Sequence, residues 1–519
     1  MTTPQTASFR LKLALAAGLI ALADLLFYRE RPGSTLGGFA LALWGAVMLA
    51  HPASRRDACG RIGLATALVM ALLLGEQPSF LELAAFWTAL AVAVLAPKVA
   101  DVLVAWRWIP RLFYLGAVGV IGPVLDLIEL RRRWEGTLKP LATLGLMLIL
   151  PVLGGGLFLG LFAAANPLIS QTLAGLSLPQ VDVGRALFWS ASLVLVWTFL
   201  RPRMLGLAAA PSSGAVDVSS KSAALDLGAA TIGLSLVVFN ALFALQNGLD
   251  IAFLWRGAAL PAGVSFSDYA HRGAFALIVA ALLAGAFVLA LRPGLASANG
   301  VWIRRLVVVW VGQTLVLVAS SALRTLDYIG AYQLTGLRIA ALLWMGLVAV
   351  GLVLVCWRML RGKSADWLIN ANLLTAGLVL LSTCVVDLNA VAAAWNVREA
   401  REVNGQGAAL DLCYLGQLGP SALVSLSELA KRPLPAELHD RVAAVRAWSL
   451  ADLRRRQSAW RGWTWRGQRR LDRALAILPA NSPAAAFRPG ERACDGSLPQ
   501  PASPSAPSPA ATNPATAPS

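Results

Sequence analysis

Charge is scarce in this chain. Asp, Glu, Lys and Arg make up only 14% of its 519 residues, against 57% hydrophobic residues and a mean hydropathy of +0.66. That balance excludes a water-soluble domain and implies a membrane protein. Acids are scarcer than bases, leaving a formal net charge of +17. The Lys and Arg sit mostly in short gaps between apolar runs, which is what membrane orientation requires, so nucleic acid is not the expected partner. The five cysteines show no CxxC and no Cys/His metal spacing, so no metal site, redox centre or other cofactor is expected. Also missing are a nucleophile elbow, an HExxH, a P-loop and any paired-carboxylate spacing.

What the chain does have is long apolar runs. A spanning helix needs roughly 20 apolar residues, and candidates lie at about 12–28, 36–50, 62–75, 80–97, 141–164, 185–200, 225–250, 273–291, 306–323, 339–357 and 367–386. The fold class expected is an all-α polytopic transmembrane helix bundle of about 11 spans over 1–386. The opening stretch has no small-residue cleavage site and reads as a first span that stays attached. A twelfth span is available at 112–130, "LFYLGAVGVIGPVLDLIEL", unless that segment is interfacial or re-entrant. With eleven spans and the N-terminus inside, the cytoplasmic gaps hold most of the Lys and Arg that precede residue 338. Letting 112–130 span would turn "RRRWEGTLK" and the later basic gaps outward, so eleven is favoured.

An odd count puts everything after about 387 on the extracytoplasmic side. Residues 387–496 read as amphipathic helices, the later ones basic and Trp-rich ("LRRRQSAWRGWTWRGQRR"), that lie against anionic headgroups or against their own bundle. Cys413 and Cys494 then meet an oxidising compartment, where they pair or remain free thiols. The stretch 497–519, rich in Pro, Ala and Ser, reads as a disordered tail.

Polar side chains gather at the outward ends of several spans. "FNALFALQNGLD" brings Asn240, Gln246 and Asp250, and "SDYAHRGAF" brings Asp268, Tyr269, His271 and Arg272. "LRTLDYIGAYQLTGLR" adds Arg324, Asp327, Tyr328, Tyr332 and Arg338, and "VVDLNAVAAAWNVREA" adds Asp387 and Asn396. Arginines at a low-dielectric boundary suit a phosphate or carboxylate, because the guanidinium fork donates two aligned hydrogen bonds. They equally suit pairing with Asp250, Asp327 or Asp387. For catalysis the candidates are His271 as a base with Asp268 or Asp250, a reading that rests on adjacency alone.

Four of these blocks, "FNALFALQNGLD", "LPAGVSFSDYAHRGAF", "DYIGAYQLTGLR" and "CVVDLNAVAAAWNVREA", resemble a bacterial family of polytopic membrane proteins, the domain of unknown function numbered four-one-seven-three, over about 185–430. The resemblance implies an inner-membrane location and carries no catalytic residue. The function expected is a transporter or accessory factor handling an anionic or lipid-linked envelope compound at an outward polar vestibule. The alternatives are a membrane-embedded transferase or hydrolase, and a sensor or scaffold. Expected partners are membrane lipids, such an anionic or lipid-linked small molecule, and another envelope protein.

Overall fold

A computed structural model describes residues 4–99, 104–133, 182–203, 229–252, 300–478 and 492–498, with single positions between 151 and 166 and at 283. The described residues form an all-α membrane helix bundle. Eight helices are long and apolar enough to cross a bilayer by length and composition. The sequence led us to expect eleven, and the difference has three sources. Candidates 141–164 and 273–291 lie outside the described residues apart from single positions. Candidates 12–28 and 36–50 fall in α1 (Pro4–Phe27), which carries Arg10, Lys12 and Asp24, and α2 (Thr35–Ala50), which has only 16 residues. At 1.5 Å per residue α2 covers about 24 Å of a hydrocarbon core about 30 Å thick. Conversely, 112–130 falls in a 26-residue helix, α6 (Trp108–Arg133), that meets the criterion.

The chain divides into two compact units: residues 1–231, 354–385 and 459–465, and residues 232–353, 386–458 and 466–519. In the first, a five-residue helix α3 (Pro52–Arg56) precedes α4 (Ala58–Glu76), α5 (Phe80–Leu95), α6 and α7 (Val183–Leu200). Helix starts follow from capping chemistry: Asp57 accepts from Gly60 N–H at 2.7 Å, Ser79 from Glu82 N–H at 3.5 Å, and Asp182 from Arg185 N–H at 3.2 Å. The core is built from small residues and leucines, with Leu43, Leu74, Leu90, Leu95 and Leu200 fully buried. Backbones touch here. A Cβ on Gly37 would lie 2.3 Å from Gly75 N, and one on Gly63 2.8 Å from Ala93 N, the close approach that small residues permit between membrane helices.

Polar contacts mark the two ends of this unit. At one end, His51 after α2 meets Phe199 O at 2.9 Å, and Lys98 after α5 donates to Pro202 O at 3.2 Å. At the same end Asp126 of α6, 4% exposed, accepts from Trp197 at 2.6 Å and pairs with Arg201 and Arg203. The chain just before α6 donates from Ala105 N–H to Asn370 Oδ1 at 2.9 Å, and Trp106 donates to Asp366 at 3.2 Å. At the other end, Asp24 and Tyr28 meet Arg185 and Asp182, and Trp463 O accepts from Ser34 N–H at 2.7 Å.

The second unit holds α8 (Ala229–Asp250) from residue 232, α9 (Gly300–Tyr332) and α10 (Gly336–Arg361) to residue 353. The span α11 (Ala365–Val385) belongs to the first unit. After it come α12 (Leu388–Glu399), α13 (Leu412–Gln417), α14 (Leu423–Ala430), α15 (Ala436–Ser458) and α16 (Trp465–Ile477). These short helices bury a core of their own, including Leu412, Leu415, Leu426, Leu429, Val442 and Val445. A disulfide joins Cys413 to Cys494 with Cα atoms 4.8 Å apart. The basic, Trp-rich segment packs on protein: Leu471 and Ala474 join a cluster with Leu423, Leu450 and Leu453, and Arg470 pairs with Asp387.

Candidate functional site

A seam of polar side chains runs between α8 and α9 inside the second unit. Asn240 donates to Leu306 O at 3.2 Å, and seven residues on, Asn247 donates to Gln313 O at 3.0 Å. The equal advance on both helices shows that they run parallel. Seven residues are two turns, so both amides face the same partner. Phe239 and Phe243 pack on Trp310 between these rungs, with ring centroids at 5.2 and 5.7 Å. On α9, Thr314 and Ser321 are buried two turns apart and satisfy their hydroxyls on the preceding turn.

The seam ends at a buried ion pair. Asp250 is fully buried and Arg324 is 3% exposed; Asp250 Oδ1 takes the Arg324 guanidinium and accepts from Gln246 at 3.0 Å. Asp250 Oδ2 has no hydrogen-bond partner among the described residues. Removing both charges from water costs several kcal/mol each, a cost that only a close geometry offsets. Ion pairs within spans are accordingly rare and mark function or a fixed register.

One turn further on, Tyr328 and Tyr332 have ring centroids 4.6 Å apart, and the Arg338 guanidinium lies 4.5 Å over Tyr328. Arg338 donates to the carbonyls of Tyr332 and Gln333, so its cation sits where α9 ends and unpaired carbonyls concentrate. Between α9 and α10 the chain turns through Gln333 at φ 68°, an uncommon value for a residue with a side chain. The turn is held from outside. Asn396 of α12 accepts from Leu334 N–H at 2.7 Å and donates to Leu334 O at 2.8 Å; Gln333 donates to Ala409 O, and Tyr414 OH accepts from Gly336 N–H at 3.1 Å.

Of the residues singled out from sequence, the structure thus brings Asn240, Gln246, Asp250 and Arg324 into one seam and Tyr328, Tyr332 and Arg338 into one cluster. Asn396 spends its amide on the turn. Asp387 caps α12, accepting from Asn389 and Ala390 N–H at 3.1 and 3.2 Å, and pairs with Arg470. Asp327 is exposed. Asp268, Tyr269, His271 and Arg272 lie outside the described residues. Not singled out beforehand were Gln313, Thr314 and Ser321, although the polar spacing in "GQTLVLVASSALR" signals such a stripe. The described residues contain no group of His, Cys, Asp and Glu able to hold a metal ion.

A family model described as Domain of unknown function (DUF4153) matches residues 16–429. The chain belongs to this family. The resemblance to the four-one-seven-three family is corrected accordingly: both are polytopic membrane families of unknown function, but the match is to DUF4153. The DUF4153 match takes in α1 through most of α14, hence the polar seam, the tyrosine cluster and the clamp on the turn. It stops before the basic Trp-rich segment. No curated protein and no solved structure matches the chain.

Proposed function

We propose that this DUF4153 protein is a bacterial inner-membrane transporter or accessory factor that handles an anionic or lipid-linked envelope compound at an outward-facing polar vestibule. The observation that carries the reading is the fully buried Asp250, paired with Arg324 and Gln246 at the end of a polar seam between two apolar helices. A scaffold needs no charged pair buried between two helices, whereas a solute pathway needs polar groups facing the bundle interior. Arg324 supplies the attraction for an anion and Asp250 holds the guanidinium in place until one arrives. The enzyme reading, through His271 with Asp268 or Asp250, is carried by no observation here, since His271 and Asp268 lie outside the described residues.

The outward assignment rests on three supports. First, Cys413 and Cys494 are joined, and such bonds persist in oxidising compartments. Second, among the described residues no candidate span follows α11, so the chain after Val385 stays on one side, and it is this chain that clamps the α9–α10 turn. Third, both ends of α6 contact the basic end of the first unit: Ala105, before it, meets the start of α11, and Asp126 and Glu129 meet Arg203. A helix that starts and finishes at one end lies along the interface, as an amphipathic interfacial segment does.

Water access tests the vestibule. With Cys59, Cys356 and Cys384 replaced, single cysteines at Thr314, Ser321, Val309 and Leu326 are treated with a charged thiol reagent from outside. The reading expects Ser321 and then Thr314 to react, while Val309 and Leu326, which face the apolar exterior, do not. Silence at both seam positions contradicts a pathway.

A further inference from the structure

The first unit contains an apolar cleft with a charged rim. A half-open cleft of about 530 Å³ lies among α1, α2, α5 and α7, walled by Phe27, Phe39, Phe80, Phe86, Trp87 and Phe188 together with aliphatic side chains. Among its lining residues only Ser192 and Trp87 have a polar side-chain atom. The volume is that of a small-molecule pocket, roughly 300–1,000 Å³, and its walls suit a hydrocarbon chain.

Its rim is charged. Asp24 and Tyr28 follow the wall residues Ala23 and Phe27 on α1, and Arg185 and Trp189 flank Phe188 on α7. Tyr28 packs on Phe188 with ring centroids 5.8 Å apart, so rim and wall are in direct contact. Arg185 gives Nε to Asp24 Oδ1 at 2.9 Å and Nη2 to Asp24 Oδ2, and Trp189 donates to Asp24 Oδ1 at 2.9 Å. Arg29 pairs with Asp182 at 3.2 Å. The Arg29 and Arg185 guanidiniums lie 5.3 and 5.5 Å from the Tyr28 ring centroid. In each pair the acid is the more sheltered partner: the side chains of Arg185 and Asp24 are 48% and 14% exposed, those of Arg29 and Asp182 76% and 36%. What the rim presents outward is therefore two guanidinium groups with N–H donors to spare, held in position by acids beneath them.

We propose that this cleft binds one anionic phosphate-bearing lipid, its acyl chain between α5 and α7 and its phosphate on Arg185 and Arg29. A phosphate has the oxygens to meet two guanidinium forks at once. A headgroup of zero net charge brings a cation to the same two arginines and is disfavoured. The site is independent of the polar seam and stands or falls apart from it.

The test uses the full chain in phosphatidylcholine vesicles containing a phosphatidylglycerol with a diazirine midway along one acyl chain. Irradiation is expected to place adducts within Phe80–Trp87 and Phe188–Val196, and the same chain on phosphatidylcholine to label them several-fold less. Arg185→Gln lowers the phosphatidylglycerol signal to the phosphatidylcholine level. Ala84→Trp, which fills the cleft and leaves the rim intact, lowers both. Should Arg185→Gln not fold, the exposed Arg29→Gln serves and is expected to lower the preference. Equal labelling by the two lipids, adducts only outside these segments, or no response to the arginine variants overturns the proposal.

Discussion

The two units solve membrane packing in opposite ways. The first joins its helices through backbone contact, Gly37 on Gly75 and Gly63 on Ala93, and confines its ion pairs to the ends. The second joins α8 to α9 through amide hydrogen bonds, an aromatic cluster and a charged pair at full burial. Hydrocarbon tails are as apolar as leucine, so neither unit gains much from burying one against the other. Small residues give a tight contact with little freedom; polar rungs give a contact that exchanges partners. On the function proposed above, the first unit serves as frame and the second carries the polar pathway.

Four changes break or sharpen that contrast. The largest effect is expected from Asp250→Ala, which leaves Arg324 buried opposite an apolar residue and costs about 3–5 kcal/mol. Thermal unfolding followed by tryptophan fluorescence reads it, and Asp250→Leu combined with Arg324→Met is expected to recover most of the loss while abolishing function. Cys413→Ser comes next, at about 2–4 kcal/mol for the helices after Val385, seen as protease sensitivity there while α1 to α5 stay protected. Gly37→Val forces α2 away from α4 and costs about 1–3 kcal/mol, seen as a lower unfolding temperature with the thiol reactivity of the α9 positions unchanged.

The last effect is pH-dependent and vanishes near neutral pH. Burial, with Lys12 nearby, lowers the pKa of His51 to about 4, and its ring meets Phe199 O. The unfolded chain takes up a proton below about pH 6.5 that the folded chain refuses until about pH 4. The contribution of His51 is thus complete above about 6.5 and declines as pH falls, by at most about 1.4 kcal/mol per unit. His51→Gln keeps a donor for Phe199 O and is expected to flatten unfolding temperature between pH 6.5 and 4.5. An unchanged slope assigns the dependence to other groups.

Membrane class, helix type and the polar ends were legible because apolar length and charge placement are properties of the sequence itself. Of the polar stripe of α9 only Arg324 was singled out, although Thr314, Ser321 and Arg324 fall at helical spacing. Partner choice was not legible. Arg324 had three acids open to it, and only the packing of α8 on α9 brings it to Asp250; Asp387 turns instead to Arg470, 83 residues further along. Asn396 looked like a ligand-facing amide because sequence cannot tell a side chain that awaits a solute from one that clamps a turn. Segment 112–130 is as apolar as a span, and only the partners of Ala105 and Asp126 suggest that its ends lie together. The family number was misread because short blocks with helix-end polarity look alike between membrane families.

The most direct test is side-specific labelling of single cysteines in oriented membranes, at Asp101, Glu135 and Arg398. With the polar layer facing outward and α6 lying along the inner surface, an impermeant reagent added outside labels Arg398→Cys and spares Asp101→Cys and Glu135→Cys until the membrane is opened. Labelling of Glu135→Cys from outside makes α6 a span. Protection of Arg398→Cys places the clamp, the tyrosine cluster and the end of the polar seam on the inner side, and contradicts the account.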